Sequence, residues 1–332
     1  MVGVNALISS GTSKCHEKFS YAQNRMLHYP SYRAKVLFED NSLLIGSTAY
    51  EHYPITCFED SLSFIVIEGM IYNIDDATIR IDLFAIADKI HDTQTLKETI
   101  TGFLAHADGE FVVMIYDKQR GDFCVFNDAL GRLPFFMYGD DKVLAFSREI
   151  KFIHPFMDQF TFNRLGITEY LLYGFALGER TLIEGIERFK PATLVIYRGL
   201  DHTLSKEQVL PLTFETIEKD QKSPRENIED LKQAFLEGLQ NRVTKLGSKK
   251  PIISLSGGLD SRATLAGLVA CKVKPKGITY DTAPENAREL GYTQRIADLF
   301  DIPLTHLTPS KDLDNEDYMR YVAMIDAAQP VD

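Results

Sequence analysis

The hexapeptide Ser256-Gly257-Gly258-Leu259-Asp260-Ser261 carries the most explicit chemistry in the chain. It follows a continuous apolar run, Pro251 to Leu255, and precedes a segment of helical character, Ala263 to Val269. That order predicts a buried parallel strand, a glycine turn and a helix start. Backbone N–H groups at a helix start are unpaired and lie at the positive end of the helix dipole, so they attract anions. Gly257 and Gly258 have no Cβ and let an anion approach the backbone. Ser256 and Ser261 add hydroxyl donors. A carboxylate at Asp260 would repel bare phosphate and makes sense with Mg²⁺ between the two. The segment reads as a site for the terminal phosphates of a nucleotide, with Asp260 as the catalytic, metal-holding group. The bland alternative is a serine-capped strand–turn–helix junction. No lysine follows the glycines and the spacing is not G-x-x-x-x-G-K-S/T, which disfavours a Walker-type NTPase.

The elements that must hold this loop extend on both sides of it. Ile228, Leu231, Phe235 and Leu239 recur at helical spacing. After the loop, Gly277 to Tyr280 reads as a strand, Tyr292 to Phe300 as a helix and Pro303 to Leu307 as a strand. Strand–helix alternation predicts an incomplete, doubly wound parallel-sheet α/β domain over 228–332. Thr279, Tyr280 and Asp281 stand at the C-terminal end of its second strand, where ligands of such sheets gather. Arg262 reads equally as a phosphate contact or a surface arginine.

Upstream the pattern differs. Ser63–Glu68, Glu110–Tyr116, Phe123–Phe126, Phe135–Tyr138, Val143–Phe146 and Thr193–Tyr197 read as strands separated by turn clusters. Helical spacing occurs at Leu83–Ile90 and Ile167–Tyr173. Residues 1–204 therefore predict an α+β domain dominated by antiparallel pairing. The polar stretch 205–227, with Pro211 and Pro224, reads as a linker. The aromatic series Phe152, Phe156, Phe160 and Phe162 reads as core or interdomain packing rather than a ligand box.

The whole chain has 332 residues, 45% hydrophobic and 25% charged, enough for two globular domains and unlike a disordered or fibrous sequence. Its formal charge of −11 gives no sign of a nucleic-acid or anionic-membrane partner. The four cysteines are scattered and the eight histidines show no metal spacing, which suits reduced thiols in a cytoplasmic protein. No secretory leader or membrane-length apolar run is visible.

Several motifs together carry a resemblance. The S-G-G-x-D-S loop resembles the pyrophosphate-binding loop of the ATP pyrophosphatases. Gly69-Met-Ile-Tyr-Asn73 resembles N-G-E-I-Y-N of asparagine synthetase. Asp128-Ala-Leu-Gly131 with Pro134 resembles R-D-x-L-G-x-x-P, and Phe146-Ser-Arg-Glu-Ile-Lys151 resembles F-A-S-E-I-K. Thr181-Leu-Ile-Glu-Gly-Ile186 with Pro191 resembles T-L-F-x-G-I followed by P-G. Covering nearly the whole chain in order, they resemble the asparagine synthetase family. The resemblance implies a glutaminase of N-terminal-nucleophile αββα fold, then a synthetase domain that forms the AMP ester of a carboxylate. Leu255, Ser256, Gly257, Gly258, Asp260, Ser261 and Thr279 would then hold ATP, and Asp260 the Mg²⁺.

The departures matter as much. The family's nucleophilic cysteine is Val2 here, and its oxyanion asparagine is Glu68, beside Gly69. A carboxylate destabilises a developing oxyanion. No arginine occurs between Arg33 and Arg80 to hold a glutamine carboxylate. The expectation is a first domain without glutaminase activity. The family's later acidic segment, S-G-E-G-S-D-E, does not occur before Asp332, so the chain is expected to be the front of a longer protein. The function implied is an ATP-dependent amide-forming ligase, with aspartate as the family's default carboxylate and ammonia or a substrate amine as nucleophile. Lasso-peptide cyclases and β-lactam synthetases resemble the second case. The alternative is an inactive nucleotide-binding or scaffold homologue. The oligomeric state stays open, a homo-oligomer included.

Overall fold

Apolar side chains on both faces of most central strands dictate a layered first unit. The computed structural model describes residues 2–9, 13–211, 222–280, 287–307 and 319. These fall into two compact units that part within the segment 212–221. The first contains β1 (Gly3–Ser9), α1 (Ser13–Asn24), β2 (Arg33–Glu39), β3 (Leu43–Ala49), β4 (Ile55–Glu59), β5 (Ser63–Ile71), α2 (Asp76–Ala87) and α3 (Thr93–His106). It continues with β6 (Gly109–Asp117), β7 (Phe123–Asn127), β8 (Phe136–Gly139), β9 (Val143–Ser147), α4 (Ile150–Ile153), α5 (Arg164–Tyr173), β10 (Glu187–Arg188), β11 (Thr193–Arg198) and β12 (Thr203–Gln208).

Two six-stranded antiparallel sheets result, ordered β10-β8-β9-β1-β3-β2 and β12-β11-β7-β6-β5-β4. Side chains alternate between sheet faces with period two. Val4, Ala6 and Ile8 of β1 therefore meet Phe64 and Val66 of β5 in the layer between the sheets. Leu7 points the other way, onto Phe19 of α1, Met26 just after it and Phe152 of α4. Ile65 and Ile67 point away from the central layer onto α2 and α3, against Leu83, Ile86 and Ile100. The layers run helix, sheet, sheet, helix, as the expected αββα sandwich requires.

Local chemistry sets the helix ends and corrects some boundaries. Asp75 accepts hydrogen bonds from the N–H groups of Ala77 and Thr78, so α2 starts at Asp76 and ends at Ala87, upstream of the expected Leu83–Ile90. The expected linker 205–227 shrinks from both sides. Its first residues pair with β11 as β12, and Ser223 with Glu226 forms a capping box that starts a helix at Pro224. Of the four phenylalanines expected to pack, Phe152 and Phe156 are buried, whereas Phe160 and Phe162 are exposed.

The second unit contains α6 (Pro224–Leu246), β13 (Ile252–Ser254), α7 (Leu259–Ala270), β14 (Lys276–Tyr280), α8 (Ala287–Phe300) and β15 (Leu304–Leu307). Its strands are parallel in the order β13-β14-β15. The described strands thus run in one direction, with no reversal of order among them. Ile253, Leu255, Leu265, Leu268, Ala297 and Ile302 form its core. Among the described residues, no helix is long and apolar enough to cross a membrane.

Candidate functional site

The glycine loop lies where the sequence places it, between β13 and α7. Leu255 is buried, and its N–H donates to the Ile278 carbonyl, which ties the loop entry to β14. Ser261, one turn into the helix, reaches back to the loop. Its hydroxyl lies 3.0 Å from Ser256 Oγ, accepts from Ser256 N at 3.2 Å and lies 3.1 Å from the Ser256 carbonyl. Ser256 Oγ in turn accepts from Gly258 N. The two serines thus clamp the turn. Gly258 caps α7 with extended backbone, and no side chain fills the cap position. Asp260 sits in the first turn of α7, exposed. Arg262 turns back, its Nε donating to the Gly258 carbonyl at 3.1 Å. Thr279 is buried at the end of β14, and Asp281 lies outside the described residues.

The start of α7 has no capping side-chain bond, and a helix start of that kind can accept an anion. No group of three or more His, Cys, Asp or Glu residues among the described residues could hold a metal alone. A Mg²⁺ at Asp260 would therefore take most of its oxygen ligands from phosphate and water, which is how that ion is usually held.

A second constellation lies in the first unit, at Glu68 near the end of β5. Strand alternation turns Glu68 into the layer between the sheets, in line with Phe64 and Val66. Its side chain is fully buried and fully engaged. Oε2 accepts from the Val4 N–H at 2.8 Å, and Oε1 accepts from Tyr53 Oη at 2.6 Å and from the Arg148 guanidinium. Arg148, also buried, donates through Nε to the Pro134 carbonyl at 2.6 Å. Burial and the neighbouring Glu68 carboxylate hold the Tyr53 phenol far above its ordinary range, so it stays a donor. Gly3 has φ +152°, and a Cβ there would crowd both Glu68 oxygens at 2.8 Å. Gly69 has φ +102°, its N–H donates to the Pro54 carbonyl at 2.8 Å, and a Cβ would collide with the Glu110 carbonyl.

The structure thus brings the Val2 end of β1 together with Glu68 and Gly69. Sequence reasoning missed Arg148 and Tyr53. The signal for Arg148 was present, because Phe146-Ser-Arg-Glu-Ile-Lys151 carries arginine where the F-A-S-E-I-K pattern has serine.

Next to this pair, Glu149 is also buried. It accepts from Lys151 Nζ at 2.7 Å and contacts His28 Nε2 at 2.9 and 3.0 Å. Burial, helped by the Lys151 ammonium, pushes the His28 pKa down to about 3. The ring is then neutral near pH 7 and donates Nε2–H to Glu149 in the tautomer this geometry selects.

An antiparallel two-sheet sandwich covered by helices defines a class, and the comparisons give the family. The family model of the glutamine amidotransferase domain matches residues 43–208, half of the chain. The chain belongs to that family. It is 28% identical over 278 residues to a Methanocaldococcus jannaschii protein provisionally named glutamine-hydrolysing asparagine synthetase 1, covering 80% of this chain and 45% of the relative. It is 25% identical over 244 residues to glutamine-hydrolysing asparagine synthetase 3 of Bacillus subtilis, covering 70% of this chain and 38% of the relative. The chain therefore spans less than half the length of these curated relatives. A solved glutamine phosphoribosylpyrophosphate amidotransferase from B. subtilis, complexed with ADP and GMP, aligns over 92% of this chain and 81% of its own, with 8% identity and a TM-score of 0.38.

Proposed function

We propose that this chain belongs to an ATP- and Mg²⁺-dependent amide-forming ligase of asparagine-synthetase type whose glutaminase half has lost its reaction. One observation carries the ligase part: the serine-clamped glycine turn at the start of α7, with Asp260 exposed beside it. In this reading Ser256, Gly257, Gly258 and Ser261 hold the pyrophosphate of ATP. Asp260 holds Mg²⁺, which neutralises charge on the leaving pyrophosphate. Leu255 and Thr279 border the adenosine. A carboxylate, aspartate by default, attacks the α-phosphate, and an amine displaces AMP from the resulting ester. The lost glutaminase is supported by Val2 and by the Glu68 carboxylate in place of the oxyanion donor. The nitrogen then comes from ammonia or from an amine on the substrate. The reading includes a doubly wound synthetase domain and a cytoplasmic setting.

The test is binding of Mg·ATP to the purified protein, followed by pyrophosphate release with aspartate and ammonia. Asp260→Ala is expected to lose the Mg²⁺-dependent part of binding and all release. Wild-type binding that the substitution leaves unchanged would remove the loop from the proposal. ATP binding without release under any carboxylate–amine pair would favour a nucleotide-binding homologue that has lost both chemistries.

A further inference from the structure

The inner face of β2 changes character along its length. Leu37 packs into the apolar layer between the sheets. The register with β3 shifts at Leu37, and before that bulge Lys35 and Arg33, in register with Ser47 and Ala49 of β3, face the same cavity. Apolar residues would fill that face in an ordinary sandwich. Here a cavity of about 750 Å³ opens between the edge strands β2 and β4, lined by Arg33 and Lys35 on one side and Ile55 and Cys57 on the other. Tyr50 and Tyr53 close one end, with ring centroids 5.4 Å apart.

This cavity adjoins the Glu68 constellation. Ile55 is the direct strand partner of Glu68, and Tyr53 donates to the Glu68 carboxylate. Glu68 itself is neutralised by Arg148, so it does not answer the cations of the cavity. Among the described residues, Arg33 donates to the carbonyls of Pro30 and Tyr32 and forms no ion pair. Lys35 has no ion-pair partner among the described residues. Glu51 and His52 complete the polar lining. In a chain of net charge −11, two cations that form no ion pair among the described residues, with Glu51 the single carboxylate in the lining, stand out. Alternate residues on one strand face are about 7 Å apart, a span that one doubly charged small molecule can bridge.

We propose that this cavity binds a small organic anion with at least two negative charges, a di- or tricarboxylate or a phosphate ester, held by Arg33 and Lys35 with a tyrosine wall. It does not depend on the ligase reading, because the ligand and the loop lie in different units. Inward charges on an edge strand also guard against edge-to-edge pairing. That role needs no ligand, so the two differ by experiment.

The full chain is titrated by calorimetry with citrate, succinate and glycerol 3-phosphate at low salt, to limit screening. At least one is expected to bind with a Kd below about 1 mM, the carboxylates and the phosphate ester separating the two sources of charge. Arg33→Gln with Lys35→Gln is expected to weaken that binding about tenfold or more, the loss of two charge-assisted contacts. Asp260→Ala is expected to leave it unchanged. Bound ligand should also slow maleimide labelling of Cys57, located by peptide mass spectrometry, and leave Cys271 unaffected. Absence of binding for all three probes, survival of binding in the double variant, or loss of binding in Asp260→Ala overturns the proposal. Both substituted side chains are exposed, and an unchanged melting temperature in the double variant excludes misfolding as the cause of any loss.

Discussion

Glu68 and Arg148 meet as a buried ion pair, and each occupies a position where the asparagine-synthetase pattern has another residue. The pattern has asparagine at the first and serine at the second. Either change alone would strand a charge between two sheets, which is expensive. Together they neutralise each other, and Tyr53 and the Val4 N–H satisfy the remaining lone pairs. The buried Glu68 carboxylate is thus held between the sheets as one half of an ion pair.

The pair predicts strong coupling. Arg148→Met should destabilise the protein by about 3–5 kcal/mol, since it leaves the Glu68 carboxylate buried without its counter-ion. Glu68→Asn combined with Arg148→Ser should cost clearly less than the sum of the single changes. A double-mutant cycle from urea denaturation measures this, and additive costs would contradict the coupling.

Glutamine hydrolysis is expected to be absent from the purified protein. Val2→Cys alone should not create it, because Glu68 still presents a carboxylate where negative charge would develop. Adding Glu68→Asn and Arg148→Ser to Val2→Cys is the combination that could. Ammonia release assayed for each variant decides the matter, and hydrolysis by Val2→Cys alone would show that the Glu68 carboxylate is no barrier.

Ser261 is the hub of the glycine loop, its hydroxyl touching the hydroxyl, N–H and carbonyl of Ser256. Ser261→Ala should loosen the turn and weaken Mg·ATP binding about tenfold, roughly the worth of one lost hydrogen bond. Ser261→Thr keeps the hydroxyl and should retain most of the affinity. Equal binding by all three proteins would argue against a role for the clamp.

His28 gives a pH dependence of defined sign. Its folded pKa, about 3, lies below its unfolded value of about 6.5. Between those values the unfolded chain binds the proton and the folded protein does not. Stability present above pH 6.5 is therefore lost progressively as the pH falls toward 3, by at most about 1.4 kcal/mol per pH unit. His28→Gln should flatten that part of the profile. Urea midpoints between pH 7 and pH 4 for both proteins provide the comparison.

Gly69 permits only a narrow range of substitutions. With φ at +102° and the Glu110 carbonyl against its missing Cβ, Gly69→Ala should destabilise by about 2 kcal/mol or more. Gly102, which has open space around it, should accept alanine with little cost or a small gain. Thermal melts of the two variants test the contrast.

Most central strands were legible from the sequence because they are apolar on both faces. Glu110–Tyr116 and Phe123–Phe126 could not form anything exposed, and both lie within buried strands. The edges were not legible. β2 and β4 mix exposed and half-buried residues, so no apolar run announces them. Helix α1 was missed because its sequence is largely polar, and it forms by laying Phe19 and Ala22 against the first sheet. The strand β12 carries Lys206 and Glu207 and looked like linker, yet it exists because β11 offers a free edge.

Residue types and order alone determined the glycine loop with its strand and helix, since these depend on neighbours in sequence. Tertiary structure alone decided the partner of Glu68. Arg148 lies 80 residues away, and only the stacking of the two sheets brings β5 beside the end of β9. The same holds for the cavity beside Arg33 and Lys35. A strand's inner face is defined by the sheet it meets, and no local pattern of charge and hydropathy states which sheet that is.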